Sequence, residues 1–310
     1  MDKRIIYSLA LAIWLVYAVA TLLSPAGPSL EDYHISGLQY NLLRLTVIMP
    51  LLLIWLSALY AILKTGSYLK EIRLSPESAG FSFIYYGLIL GGISLVAPSF
   101  IDLYQAYHPD SYQTLRYVTI LNHYLALLSV FITFYAFHKG SKALLSTQKL
   151  FYPMRSELVV YFLIFLIGML FSWLVMNNPY RENSLDPAIN PTYFLPDWLI
   201  FSTILIPYIM AWLNGIMGIA KLMFFTRSVK GIIYRQAFLY FSLGLSVIVI
   251  LTVVLQLSSQ LVYVLGRVGL SRFLPIVYGL IFLLVAGYMS IARGAKLLER
   301  FETPGGESDG

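Results

Sequence analysis

Few side chains in this chain could do chemistry, and they lie along stretches that are otherwise apolar. His123 and His138 are fifteen residues apart in one stretch, with Asn122 beside the first, and Asn214 lies in another. Imidazole can carry a proton or ligate a metal, and an amide can hold a polar solute. On one helix the two histidines would stand roughly 22 Å apart, a spacing that suits two stacked haems. The other two histidines, His34 and His108, fall outside the apolar runs, so axial partners are lacking, and neither a cofactor nor a metal is expected.

Charged groups keep to the edges. No Asp, Glu, Lys or Arg occupies the middle of an apolar stretch, and Arg44, Asp102, Arg116 and Asp197 all stand near the ends. A buried carboxylate usually marks a proton or sodium route, so its absence argues against such coupling and against aspartyl chemistry. The sequence has no HExxH, Walker loop, G-x-S-x-G elbow or paired-carboxylate set. It also has no cysteine, hence no disulfide or thiolate site. These features point away from an enzyme. What remains is a candidate ligand site: Asp102, Tyr117, Asn122 and His123 lining an outward-facing pocket, with Asn214 deeper in the other half of the chain.

Membrane spans must position these groups. With 59% hydrophobic and 12% charged residues in 310, the chain has too little polar surface for a soluble domain and too much apolar content for disorder. A spanning helix needs about 20 apolar residues. Eight runs qualify, near 5–23, 42–63, 81–103, 116–138, 158–177, 198–222, 236–259 and 274–294. Lipid offers the backbone no hydrogen-bond partner, so the expected fold is an all-α polytopic transmembrane helix bundle. No intervening loop exceeds about twenty residues, which leaves no room for a soluble catalytic domain. Lys3-Arg4, an apolar run and Ala18-Val19-Ala20 imitate a signal peptide, but the run is long and has an internal counterpart, so it is kept as a span.

Sixteen of the twenty-one Lys and Arg fall on one side of these spans. The positive-inside rule then puts both termini in the cytoplasm of a cell that carries the protein in its cytoplasmic membrane. The formal charge of +6 follows from that topology and is no sign of nucleic-acid binding. Expected partners are the bilayer, anionic lipids on the cytoplasmic side, and a protein partner or homo-oligomer.

The second half of the sequence repeats the first. A shift of 157 pairs Thr46 with Thr203, Pro50 with Pro207, Trp55-Leu56 with Trp212-Leu213, Lys64 with Lys221, Phe81 with Phe238 and Gly87-Leu88 with Gly244-Leu245. A shift of 154 pairs Tyr7 with Tyr161, Pro25 with Pro179, Tyr124 with Tyr278, and Lys139-Gly140-Ser141-Lys142 with Arg293-Gly294-Ala295-Lys296. A four-helix unit returns the chain to its starting side, so the copies form a parallel, same-orientation duplication. The expected units are 1–150, 151–298 and a short disordered cytoplasmic tail, 299–310.

Pro50 and Pro207 each remove a backbone bond to a threonine carbonyl and should kink their helices. Such a pair either opens a midplane site between the halves or simply shapes packing. Lys139, Lys142, Arg293 and Lys296 close the fourth helix of each copy and read as lipid head-group anchors. Asn122 and His123 have apolar counterparts, Ile276 and Val277, so the candidate site is asymmetric.

Two functions fit these features. One is a non-catalytic carrier or conduit for a neutral or amphiphilic small molecule at the interface of the halves. The other is a non-transporting membrane subunit that binds a partner protein, lipid or quinone within a larger complex. Eight helices in two fours resemble the quinol-binding anchor subunits of some respiratory complexes in number alone. None of their local motifs matches, and no residue role carries over.

Overall fold

The computed structural model describes residues 3–23, 37–107, 112–176, 205–265 and 270–302, with side chains over most of these. Among them the chain forms eight α-helices: α1 (Lys3–Leu23), α2 (Gly37–Glu71), α3 (Ser78–Tyr107), α4 (Tyr112–Thr147), α5 (Met154–Met176), α6 (Ile206–Ser228), α7 (Ile232–Leu265) and α8 (Leu270–Glu302). Five contain a run long and apolar enough to cross a membrane: Leu52–Glu71, Met154–Leu174, Ile206–Ser228, Ile232–Val254 and Tyr278–Glu299. Shorter apolar runs cover Ile5–Ala20 in α1 and Ser78–Ile93 in α3.

The connections 72–77, 148–153 and 229–231 gather at one end of the bundle, called here the basic end. Every helix that finishes there runs past the end expected from the sequence (63, 138, 222 and 294): α2 to Glu71, α4 to Thr147, α6 to Ser228 and α8 to Glu302. Loss of hydropathy marks where a span can leave lipid, but it does not stop a helix, and the Ala, Leu, Lys and Glu in these segments propagate one. Glu299, expected in a tail, is therefore helical. The stops are conformational. Lys149 takes a left-handed φ of 53° after α4. The Leu150 amide donates to the Leu145 carbonyl at 3.0 Å and the Lys149 amide to Ser146 at 3.1 Å, a Schellman closure. Gly231, with φ 98°, breaks the chain between α6 and α7. Pro50 lies inside a continuous α2, and Pro207 lies in the first turn of α6.

Packing follows a regular pattern. The closest neighbours are α3 with α4, α7 with α8, α4 with α6, and α8 with α2; α2 also touches α3, and α6 touches α7. Outside them, α1 leans on α2 and α3, while α5 leans on α6 and α7. Exchanging α1–α4 for α5–α8 turns this set of neighbours into itself.

Small residues allow the approaches, as expected where van der Waals contact rather than hydrophobic burial joins helices. A Cβ on Gly140 would lie 2.7 Å from the Gly80 carbonyl oxygen, and one on Gly294 would lie 2.7 Å from that of Ala237. At the crossing of α4 and α6, a Cβ on Gly218 would lie 3.0 Å from the His138 amide nitrogen. Buried aromatic rings fill the core near the basic end. Tyr68 meets Phe81 edge-on with centroids 4.9 Å apart, and Phe225 meets Phe238 edge-on at 4.9 Å. Phe81 and Phe238 themselves face each other at 5.8 Å. At the periphery, α1 docks through Trp14, Tyr17 and Trp55, and α5 docks through Phe171 against Tyr208 and Trp212.

Candidate functional site

A chain of hydrogen bonds crosses the contact between α4, α5 and α6. The Asn214 side-chain nitrogen donates to the Met210 carbonyl at 2.8 Å, which turns its Oδ1 toward His138 Nδ1, 2.9 Å away. An amide oxygen only accepts, so Nδ1 carries the proton and Nε2 keeps a lone pair. That lone pair faces Lys221 Nζ at 3.2 Å. Lys221 also reaches Glu157 Oε1 at 2.9 Å. Every donor and acceptor points the same way, from Lys221 through His138 and Asn214 to the backbone. Protonating His138 would place a second cation against Lys221 and break the chain at Nε2.

Local structure explains each position. Gly215 and Gly218 bring α6 close enough to α4 for His138 and Asn214 to touch. Lys221 is seven residues before the end of α6, or about 10 Å along its axis, and stands on a buried helix face. Its side chain is 10% exposed. Glu157 lies in the first turn of α5, where a helix N-terminus favours an anion. The Tyr152 ring lies 5.9 Å from the ammonium. Burial raises the Tyr152 hydroxyl above its ordinary pKa, and Glu157 adds to the rise.

The contact of α2 with α8 is closed at the same level by the equivalent lysine. Lys64, seven residues before the end of α2, pairs with Glu299 Oε2 at 3.1 Å, and Ser67 donates to Glu299 Oε1 at 2.9 Å. Between the two contacts a cavity of about 440 Å³ lies at the basic end, lined by Tyr68, Glu77, Phe225, Lys230, Tyr234 and Phe238 among others. Tyr68, Phe225 and Phe238 of its lining belong to the edge-on aromatic pairs, and Phe81 packs against Phe238 and Phe241. These buried rings are called here the aromatic plug.

The sequence-derived candidates separate into two levels. Asp102 belongs to α3, and Tyr117, Asn122 and His123 belong to α4, but their side chains lie outside the described residues. Asn214 is engaged with His138, sixteen residues from Asn122 along α4, or about 24 Å. Lys139 lies over the Tyr135 ring at 5.3 Å and Arg293 over Tyr240 at 4.5 Å, while Lys142 and Lys296 are exposed. His138, Lys221 and Glu157 were not among the candidates, because each sits at the edge of an apolar run where a charge normally meets water. The recurrence of lysine at 64 and 221, each with further helix-forming residues after it, was the available signal. Comparison with protein-family models, curated proteins and solved structures finds no match.

Proposed function

We propose that the protein is a multi-pass membrane carrier or conduit for a neutral or amphiphilic small molecule that moves between two same-orientation halves, 1–150 and 151–298. Paired geometry supports the duplication. The contacts Tyr68–Phe81 and Phe225–Phe238 are related by 157 residues. Tyr17–Trp55 and Phe171–Trp212 are related by 154 and 157. Gly140 against Gly80 and Ile84 corresponds to Gly294 against Ala237 and Phe241. A set of neighbours that survives exchange of the halves is what a twofold axis along the bilayer normal requires.

The observation that carries the carrier reading is the closure at the basic end: a cavity lined by rings of the aromatic plug, flanked by two seams that equivalent lysines tie with polar bonds. Such bonds can be exchanged for water when halves separate, whereas buried apolar packing has no comparable substitute. In this reading the basic end faces the cytoplasm and is closed, and the solute site would lie beyond the plug, with Asp102, Tyr117, Asn122 and His123 as its proposed lining. Pro50, inside α2, would give that helix its bend, whereas Pro207 stands in the first turn of α6, where a proline needs no kink. Proteoliposome flux tests this: the wild type moves a neutral or amphiphilic solute, and Lys64→Met with Lys221→Met changes its rate at least tenfold. No movement of any such solute by either protein would end the proposal.

The second reading, a non-transporting subunit that binds a partner protein, lipid or quinone, is favoured by the outer face of α5, where Phe162, Phe165, Met169 and Trp173 are all exposed. Purification in mild detergent as a monodisperse chain, free of partner, lipid and quinone, would count against it.

A further inference from the structure

A second cavity lies outside the latches, on the outer side of the contact between α2 and α8. It measures about 350 Å³ and is lined by Tyr60, Met289, Arg293, Lys296 and Leu297. On α8, Phe282, Met289, Arg293 and Lys296 recur at helical spacing and share one face. All four are exposed. Their order makes the face amphipathic along its length, apolar toward the middle of the bundle and cationic toward the basic end. From Phe282 to Lys296 it extends about 21 Å. On α2, Tyr60 in the cavity is continued seven residues earlier by Leu53, which is exposed too.

Glu299, one turn beyond Lys296, is held by Lys64 and Ser67. Among the described residues, neither Arg293 nor Lys296 pairs with a carboxylate. The Arg293 guanidinium is fixed over the Tyr240 ring at 4.5 Å, which positions its fork without neutralising it. A fixed guanidinium beside an ammonium matches a phosphate, and the apolar face below matches hydrocarbon. An inorganic anion would satisfy only the first half of that match.

We propose that this groove binds one anionic phospholipid per molecule, its phosphate on Arg293 and Lys296 and an acyl chain along Met289, Phe282 and Leu53. Only one such site is expected. At the other seam the position equivalent to Tyr60 is Met217, which is buried in the core, and Met289 is replaced by Tyr135, whose ring takes up Lys139. The lipid bridges the two helices that Lys64 and Glu299 join, so it braces that seam.

Native mass spectrometry of the delipidated full chain, titrated with phosphatidylglycerol or phosphatidylcholine, tests the site. One phosphatidylglycerol should persist at collision energies that strip phosphatidylcholine. Arg293→Gln with Lys296→Gln should weaken that adduct at least tenfold, and Lys70→Gln with Arg73→Gln, exposed cations outside the groove, should leave it unchanged. Melting temperature without lipid checks that both variants are folded, and added phosphatidylglycerol should raise it in wild type and the control variant but not in the 293/296 variant. Two equivalent tight lipids, equal retention of both lipids, undiminished binding by the 293/296 variant, or displacement by millimolar inorganic phosphate would each overturn the proposal. None of these outcomes depends on solute flux.

Discussion

Along α4 and α6 the helices touch through Gly215 and Gly218, and Lys221 is drawn into contact with both His138 and Glu157. Along α2 and α8 the residues at the equivalent positions are Ala58 and Ala61, and Lys64 meets Glu299 while keeping 19% of its side chain exposed. The difference is one of reach. Without a Cβ at the crossing, the first pair of helices sinks together and its lysine is enclosed by three helices. The second pair, with a methyl group at each equivalent position, has a groove outside it. Lys64 is more exposed than Lys221 and lacks a histidine partner, whereas Glu299 is less exposed than Glu157.

Forcing the tight seam apart should have the largest effect. Gly218→Leu must push the His138 backbone away, with overpacking of about 3 kcal/mol or more, and folded protein recovered in detergent should fall sharply. Normal yield with an unchanged melting temperature would mean that α4 and α6 do not touch there. Next comes Lys221→Met, which strands Glu157 and the His138 lone pair. With Glu157 29% exposed, the expected loss is about 2 kcal/mol. Lys64→Met, measured the same way, should cost about 1 kcal/mol or less. Equal shifts from the two lysines would erase the contrast drawn between the seams.

Asn214→Ala removes the acceptor of His138 Nδ1 and should cost about 1 to 2 kcal/mol. Its sharper readout is chemical: with Oδ1 gone Nδ1–H loses its acceptor while Lys221 still donates to Nε2, so imidazole nitrogen NMR should show a shifted Nδ1 resonance in the same tautomer, and an unchanged Nδ1 resonance would break the proposed direction of the chain. The smallest effect is expected away from both seams. Lys149→Gly relieves a left-handed φ at the end of α4 and should raise stability by about 1 kcal/mol. A drop instead would assign Lys149 a contact beyond its backbone role.

Hydropathy alone located all eight helices, because a run such as Leu158 to Met176 has no other use in a folded chain. It misplaced their ends at the basic side, where Lys, Ser and Glu continue a helix as readily as Leu does. Asn214 drew notice as an amide at depth, yet its partner did not. His138 is 76 residues away, and no pattern within a single helix reveals which face another helix will cover. Lys221 was legible as a recurrence of Lys64 but not as a buried group, since burial depends on Gly218 admitting α4. Glu299 fell outside the apolar run, so its pairing with Lys64 had no trace in the sequence.

The outermost helices carry a consequence for synthesis. From Ile5 to Leu23, and again from Leu158 to Met176, the chain has no charged residue, and each stretch grips the rest mainly through a few rings. Trp55 and Trp212 are translated after the segments that dock on them. If the chain spans a bilayer as proposed, each of these two stretches is a rod that can wait, solvated by hydrocarbon, until the ribosome delivers its anchor.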